Sequence, residues 1–537
     1  FIVKSTQPGF GRNATAAIQE ALDQADVAGG GIVFLPRGQY LFTGSIRLPE
    51  NTVLRGAGAN LVSIYFNEDN QTTAPDAYVT GLGSSFGVEH VTFYVTSYAN
   101  NVVRFQPGTD GAFLRNSRIR FNSYFCLEPD EGKGSRGRNT AWSTAQGTAV
   151  KIAGRNVEII GNDIYSTGDV VSTRSNGAVG AEYLLVKDNR MWNGGTTHWG
   201  ISWKQAIYEG NQATGVGAAA MGSNYPQYGG SNPHVQNIYH HNNSQTMVWG
   251  NDREMMTTDC CCFGASCYFG GVKPQVEGSR TCELISPVHA TLPGGALCVL
   301  NGTNAGDCRR IASGGSASIL MLDKPFTVPL DETSLVTTVP YQGHIAFVGN
   351  RYSDGGQVQL YGQALGCILA DNTFERTGGL SAWARSDGHG WGTNQRNQLL
   401  DNHVIEGNHV YNYDTKPNSA QDPTKEAYFP GGSKTIEPWF FGSLTNDQGD
   451  QGAFRDAFNR LIVIRNNMVD SNGGIVVRGT SSNVVVEGNT VKESDVGIHV
   501  NYTTTKGGIV VRGNVEPKGI PPNFNPYSPQ DDIMLTI

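Results

Sequence analysis

The sequence predicts an all-β fold, a parallel β-helix solenoid, on three observations: a recurring asparagine-ended repeat, a glycine content that demands many tight turns, and one amphipathic helix near the N-terminal end. Length alone, 537 residues, would suggest several domains. Glycine argues for one elongated architecture instead. It makes up 69 of the 537 residues, about 13% against a usual ~7%, without the triplet period of collagen or the low hydrophobicity of a disordered chain.

The repeat is a short β-branched run ending in Gly-Asn, Asp-Asn or Asn-Asn. Such runs end at Asn162, Asn189, Asn211, Asn243, Asn350, Asn372, Asn408, Asn467, Asn489 and Asn514. The intervals are 27, 22, 32, 107, 22, 36, 59, 22 and 25, so a unit of 22 recurs and the longer spacings read as a coil carrying an inserted loop. Twenty-two residues hold three short strands and three turns. Stacked coils place like residues one above another at about 4.8 Å. An asparagine ladder then satisfies a buried turn, because a carboxamide both donates and accepts.

At the N-terminal end, residues 13–27 put Ala17, Ile18, Ala21, Leu22 and Ala25 on one helical face, capped by Asn13 and stopped by Gly29-Gly30-Gly31. Such a helix can plug a solenoid bore. The stretch that follows alternates strand and turn. AIQEALDQA, GGGIVFLPRGQYL and NTVLRGAG resemble the amino-terminal signature of the pectate-lyase superfamily, over about the first 60 residues. That resemblance implies a right-handed, single-stranded β-helix and a secreted, polysaccharide-degrading role.

Four segments are expected: cap and first coils over 1–258, a Cys-rich β insertion over 259–340, further coils over 341–514 with a long loop at about 413–458, and an irregular Pro-rich tail over 515–537. Seven of the nine cysteines crowd between Cys260 and Cys308, which suits disulfides in an oxidising compartment. Cys298 and Cys308 flank a turn at Gly302 to Gly306 and would bridge a hairpin, while Cys126 or Cys367 is left as a free thiol. No CxxC pair or nearby His pair gives the cysteines zinc spacing. A net charge of -8 without a basic run excludes a nucleic-acid partner. No apolar stretch reaches the length of a membrane span, and with no leader pattern before Phe1 the chain reads as already trimmed.

The periodicity also locates a face. About eight residues beyond each ladder asparagine a new strand begins, and in the superfamily this chain resembles that strand lines the substrate groove. Apolar residues mark the inward direction, leaving Gln359 and Tyr361, then Ser381, Trp383 and Arg385, and in an earlier coil His198, facing outward. The coil after Asn211 would present GAAAMG, a hollow. The coil after Asn243 presents Asp252, Arg253 and Glu254, two carboxylates two residues apart. That spacing, about 6.5 to 7 Å on a strand, approaches the ~6.5 to 9.5 Å of inverting glycoside hydrolases. Asp259 and Glu437 are further carboxyl candidates. Lys204, Arg253 and Arg385 would act as a base or hold a uronate, and Trp383 and Trp439 would stack on sugar. His240 and His241 precede the ladder position and read as wall or turn residues.

The expected function is a secreted glycoside hydrolase acting on a polysaccharide without a cofactor. Two alternatives stand beside it. One is a polysaccharide lyase, in which Asp252, Glu254 and Asp259 would hold Ca²⁺ against a uronate. The other is a non-catalytic extracellular scaffold or carbohydrate-binding solenoid.

Overall fold

The computed structural model describes residues 1–2, 13–66, 76–96, 101–121, 147–166, 169–172, 182–192, 199–201, 203–215, 227–228, 236–247, 254–257, 268–287, 294–316, 318–339, 342–361, 364–383, 386–387, 396–397, 399–411, 440–442, 458–470, 474–478, 480–492, 497–501, 508–516, 523–524 and 533–536. Their strands stack in parallel in three columns. The first column, from Gly31–Leu35 to Ile509–Arg512 and beyond, is a 16-stranded sheet. The second, from Gly38–Phe42 to Thr490–Lys492, and the third, from Ile46–Leu48 to Gly497–Asn501, belong to a 25-stranded sheet. They join because Arg351–Tyr361 and Thr373–Trp383 run through both columns without a turn.

Alternation along each strand sends one set of side chains into the bore. In the first column, register stacks Val33, Leu54, Val88, Leu114, Ile159, Val186 and Tyr208 in one fully buried row. His240 and Phe347 continue it, their ring centroids 5.6 Å apart. The helix Thr15–Val27 closes the end, burying Ile18, Leu22 and Ala25 in the same core, with Asn13 Oδ1 accepting the Thr15 N–H at 2.9 Å.

All ten predicted asparagines form one continuous ladder at the corner between the first and second columns. Asn189 Oδ1 accepts both the backbone N–H and the Nδ2–H of Asn162, at 2.9 and 3.0 Å. The second Nδ2 proton of Asn162 goes to the Leu114 carbonyl at 2.9 Å. The pattern repeats to Asn489, whose two donors meet Asn514 Oδ1. The carboxamide donors and acceptors of the buried turn are thereby spent.

The residue just before each ladder asparagine is left-handed and, from Gly161 to Gly488, alternates in identity. Gly161, Asp188, Gly210, Asn242, Gly349, Asp371, Gly407, Asn466, Gly488 and Gly513 all have φ between 51° and 66°. The reason is steric. A Cβ on Gly161, Gly210, Gly349, Gly407 or Gly488 would fall 2.4 to 2.8 Å from the Oδ1 of the Asn or Asp one coil earlier. Each acidic or amide side chain occupies the space that its neighbour's Cβ would need, so every second coil from Gly161 to Gly488 takes glycine.

The insertion is a six-stranded antiparallel sheet in the order Phe269–Gly271, Leu335–Val339, Ala296–Asn301, Cys308–Ser316, Ile319–Leu322, Thr281–Glu283. One set of its side chains, including Leu297, Val299, Ile311, Leu320 and Val336, makes a separate core. Another set, Ala296, Cys298 and Leu300, packs on Leu365 of the first column. Cys298 and Cys308 are disulfide-bonded as expected, and Cys367 is a buried free thiol. Cys282, expected among the disulfides, is also free and buried in the insertion's core.

Three sequence expectations need correction. The tail is not simply irregular: Ile533–Thr536 pairs with Ile509–Arg512, and Asn523–Phe524 with the third column. The segment read as one loop at about 413–458 contains the third-column strand Phe440–Gly442. In the coil after Asn211 the third-column strand is Gln227–Tyr228 rather than GAAAMG, which lies outside the described residues.

Candidate functional site

The corner ladder repeats one residue through ten successive coils, whereas the third column changes residue from coil to coil. Successive register partners in it are Lys151, Ser172, Gly200, Gln227, Thr257, Gln359, Ser381 and Phe440. A second row runs Tyr361, Trp383, Gly442, Arg478, Asn501. Val358, Leu360, Leu380 and Ala382 between them are fully buried in the bore, as the alternation requires.

Glu254 opens the strand Glu254–Thr257, and the register slips between Glu254 and Met256. Met256 is fully buried opposite Val358, whereas Glu254 stands opposite Gln357, the position next to that inward residue. Strict alternation would have given Glu254 and Met256 the same face. The extra residue breaks that parity, as bulges do near binding sites. Glu254, Gln359, Tyr361 and Trp383 therefore hold register positions on three adjacent third-column strands.

Lys204 opens the first-column strand Lys204–Glu209, three residues past the third-column strand Trp199–Ile201. It is half-buried and stands in register between Glu182 and Gln236 of the neighbouring strands. That strand is two third-column steps from Glu254, about 10 Å along the axis. Asp252, Arg253, Asp259, His198, Arg385, Glu437 and Trp439 lie outside the described residues. His240 is a wall residue as expected: it is buried, its Nδ1 is 2.9 Å from Asn350 Oδ1, and burial pulls its pKa down to about 3.

Other titratable groups explain themselves structurally. Glu375 accepts hydrogen bonds from Arg351 at 2.7 Å, Tyr411 at 2.9 Å and Arg376, which hold its carboxyl down at about 2. Such a carboxylate stays ionised and is a poor proton donor. Glu516 is raised by burial, and sequence reasoning passed over it because nothing in its surroundings VEPK signals desolvation. Its backbone partner Ile498 lies five third-column strands from Glu254, about 24 Å, too far to share a reaction. Among the described residues no three His, Cys, Asp or Glu side chains cluster as a metal site. Of the trio Asp252, Glu254 and Asp259, only the Glu254 backbone is described, so no calcium geometry follows. No helix among the described residues is long and apolar enough to cross a membrane.

Residues 10–260 match the family model described as rhamnogalacturonase A/epimerase, pectate lyase-like. A search of curated proteins found no match. Among solved structures, the chain is similar to the A-module of the mannuronan C-5 epimerase AlgE6 of Azotobacter vinelandii, at 13% identity and a TM-score of 0.40 over 94% of this chain and 95% of that one. It is similar to a PL6 alginate lyase in complex with a trisaccharide, at 13% identity and 0.45 over 95% and 85%. A polygalacturonase from Erwinia carotovora ssp. carotovora matches at 10% identity and 0.36 over 94% and 95%.

Proposed function

We propose that this chain, a pectate-lyase-like β-helix protein of a carbohydrate-active family, hydrolyses a polysaccharide laid along the third column, with Glu254 as one of two acid/base carboxyls. The observation that supports the reading is the register slip that sets Glu254 opposite Gln357 while Met256 stays in the bore. The partner carboxyl is Asp252, from the sequence spacing, with Asp259 and Glu437 as the other contributors. Gln359, Tyr361 and Trp383, with His198, Arg253, Arg385 and Trp439, hold the sugar chain. One carboxyl protonates the leaving oxygen and the other activates water. The disulfide suits an oxidising compartment, and secretion forms part of the proposal.

A second reading has a specific support: the matched family's description pairs a hydrolase with an epimerase. Proton removal beside a uronate carboxylate, as in a lyase, would then replace hydrolysis, with Lys204 or an arginine near the row as base.

The test is incubation with neutral and uronic polysaccharides, with and without chelator, following new reducing ends and the ultraviolet absorbance of an unsaturated product. Hydrolysis predicts reducing ends without absorbance, insensitive to chelator, and a loss of about 10²- to 10⁴-fold in turnover in Glu254→Gln. Absorbance that disappears on chelation overturns hydrolysis in favour of the lyase. Full turnover in a folded Glu254→Gln removes Glu254 from the chemistry.

A further inference from the structure

The second column carries a surface that the third-column reading does not use. Register stacks Tyr65, Tyr94, Arg120, Tyr165 and Trp192 in one outward row over five successive coils. Tyr94 is 42% exposed and the others are half-exposed. The parallel row two residues earlier runs Ser63, Thr92, Arg118, Asp163, Arg190. Beside it, at the ladder corner, opens a cleft of about 270 Å³ lined by Asn116, Arg118, Asp163, Asp188 and Arg190 among others.

The polar groups of this face are unequally committed. Arg120 is fixed, its Nη2 donating to Asp163 Oδ2 at 2.9 Å and its Nη1 to the Asp163 carbonyl at 2.8 Å. Arg118 stays 3.9 Å from that carboxylate, beyond hydrogen-bond reach. Arg190 has no ion pair among the described residues, and its guanidinium lies over the Trp192 ring at 5.2 Å. Asp163 Oδ1 is buried without a hydrogen-bond partner. The rim therefore offers two guanidinium groups with donors to spare, beside a ladder of aromatic faces. Three arginines against Asp163 and Asp188 make the face locally basic on a chain whose net charge is -8.

We propose that this face binds an acidic, uronate-bearing polysaccharide, laid along the solenoid axis at a site separate from the third column. Aromatic rings in line at about 4.8 Å per coil offer apolar faces to the C–H faces of successive sugars. Arg118 and Arg190 take the uronate carboxylates, for which a planar guanidinium is suited. The partner class follows from charge complementarity: a neutral polymer would use the rings and leave the arginines unspent.

Binding is read by affinity electrophoresis of the full chain in gels containing polygalacturonate or dextran. Polygalacturonate should retard the protein, added salt should weaken the retardation, and dextran should have little effect. Trp192→Ala and Arg190→Gln should each weaken binding by about tenfold, with Trp192→Tyr largely restoring it and unchanged thermal unfolding showing that the variants fold. Glu254→Gln should bind as well as the parent, which separates this site from the catalytic reading. The assignment is overturned if polygalacturonate is not bound, if dextran is bound equally, or if binding follows Glu254 and ignores Trp192 and Arg190.

Discussion

The ladder corner and the third column are made by the same coils, yet they are opposites. At the corner ten successive coils contribute the same asparagine, and each bond from Asn162 to Asn514 is the one before it moved along the axis. In the third column the residue at one register position changes from coil to coil, from Gln227 to Thr257, Gln359, Ser381 and Phe440. Repetition at the corner fixes the register on which variation in the third column depends. A slip of one residue would exchange bore and surface along a whole strand, so uniformity in one region permits specificity in the other.

The strongest way to break this division is to interrupt the ladder. Asn372→Leu removes the acceptor of the Asn350 N–H and Nδ2 and the donors to the Phe347 carbonyl and Asn408 Oδ1, all at 2.9 to 3.0 Å. A loss of about 4 kcal/mol is expected in urea unfolding, and the turnover proposed for the third column should fail with it although no third-column residue has changed.

Acid tests the same region through its histidines. His403 is buried, accepts the Cys367 N–H at 3.3 Å, and is held down at about 4 by burial; His240 is held at about 3. The unfolded chain binds these protons near pH 6.5 and the folded chain resists them. Stability is therefore complete above about pH 6.5 and falls toward pH 4, at about 1.4 kcal/mol per pH unit for each histidine. The urea midpoint should drop between pH 7 and 5, and His403→Leu should lose about half of that slope. A flat profile would show that the interior tolerates the charge.

The alternating left-handed position gives a sharper and smaller test. Gly407→Asn drives a Cβ to 2.4 Å from Asp371 Oδ1 and should cost about 2 kcal/mol. Gly513→Asn has the same sign of φ, but its nearest neighbour is Gly488 N at 3.9 Å, so its thermal midpoint should stay nearly unchanged. Equal effects at the two positions would mean that conformation, and not the neighbouring side chain, selects glycine.

Much of this was legible in the sequence. The ten ladder asparagines, the plugging helix and the Cys298–Cys308 pair could be read because each is announced by local spacing. Glu254 was singled out from its two-residue distance to Asp252, but the register slip at Met255 is a property of two strands and leaves no mark in one. Gln227–Tyr228 was missed for a related reason: a long excursion precedes it, so counting from Asn211 pointed to GAAAMG. The arginine and tyrosine rows of the second column come from coils 26 to 45 residues apart, and no window along the chain brings them together.

The sequence by itself determined the coil, its repeat and which residues face the bore, because a period of two along a strand and a recurring asparagine are local facts. It even carries the Asn/Asp–Gly alternation before the ladder, letter by letter. Only the stacked structure supplies the cause, since the atom that excludes a Cβ at Gly210 belongs to Asp188, one coil away. The tertiary structure likewise decided that the insertion rests on Leu365 in the first column and which outward residues become neighbours. Those are contacts between coils, and the sequence separation across them varies with every inserted loop.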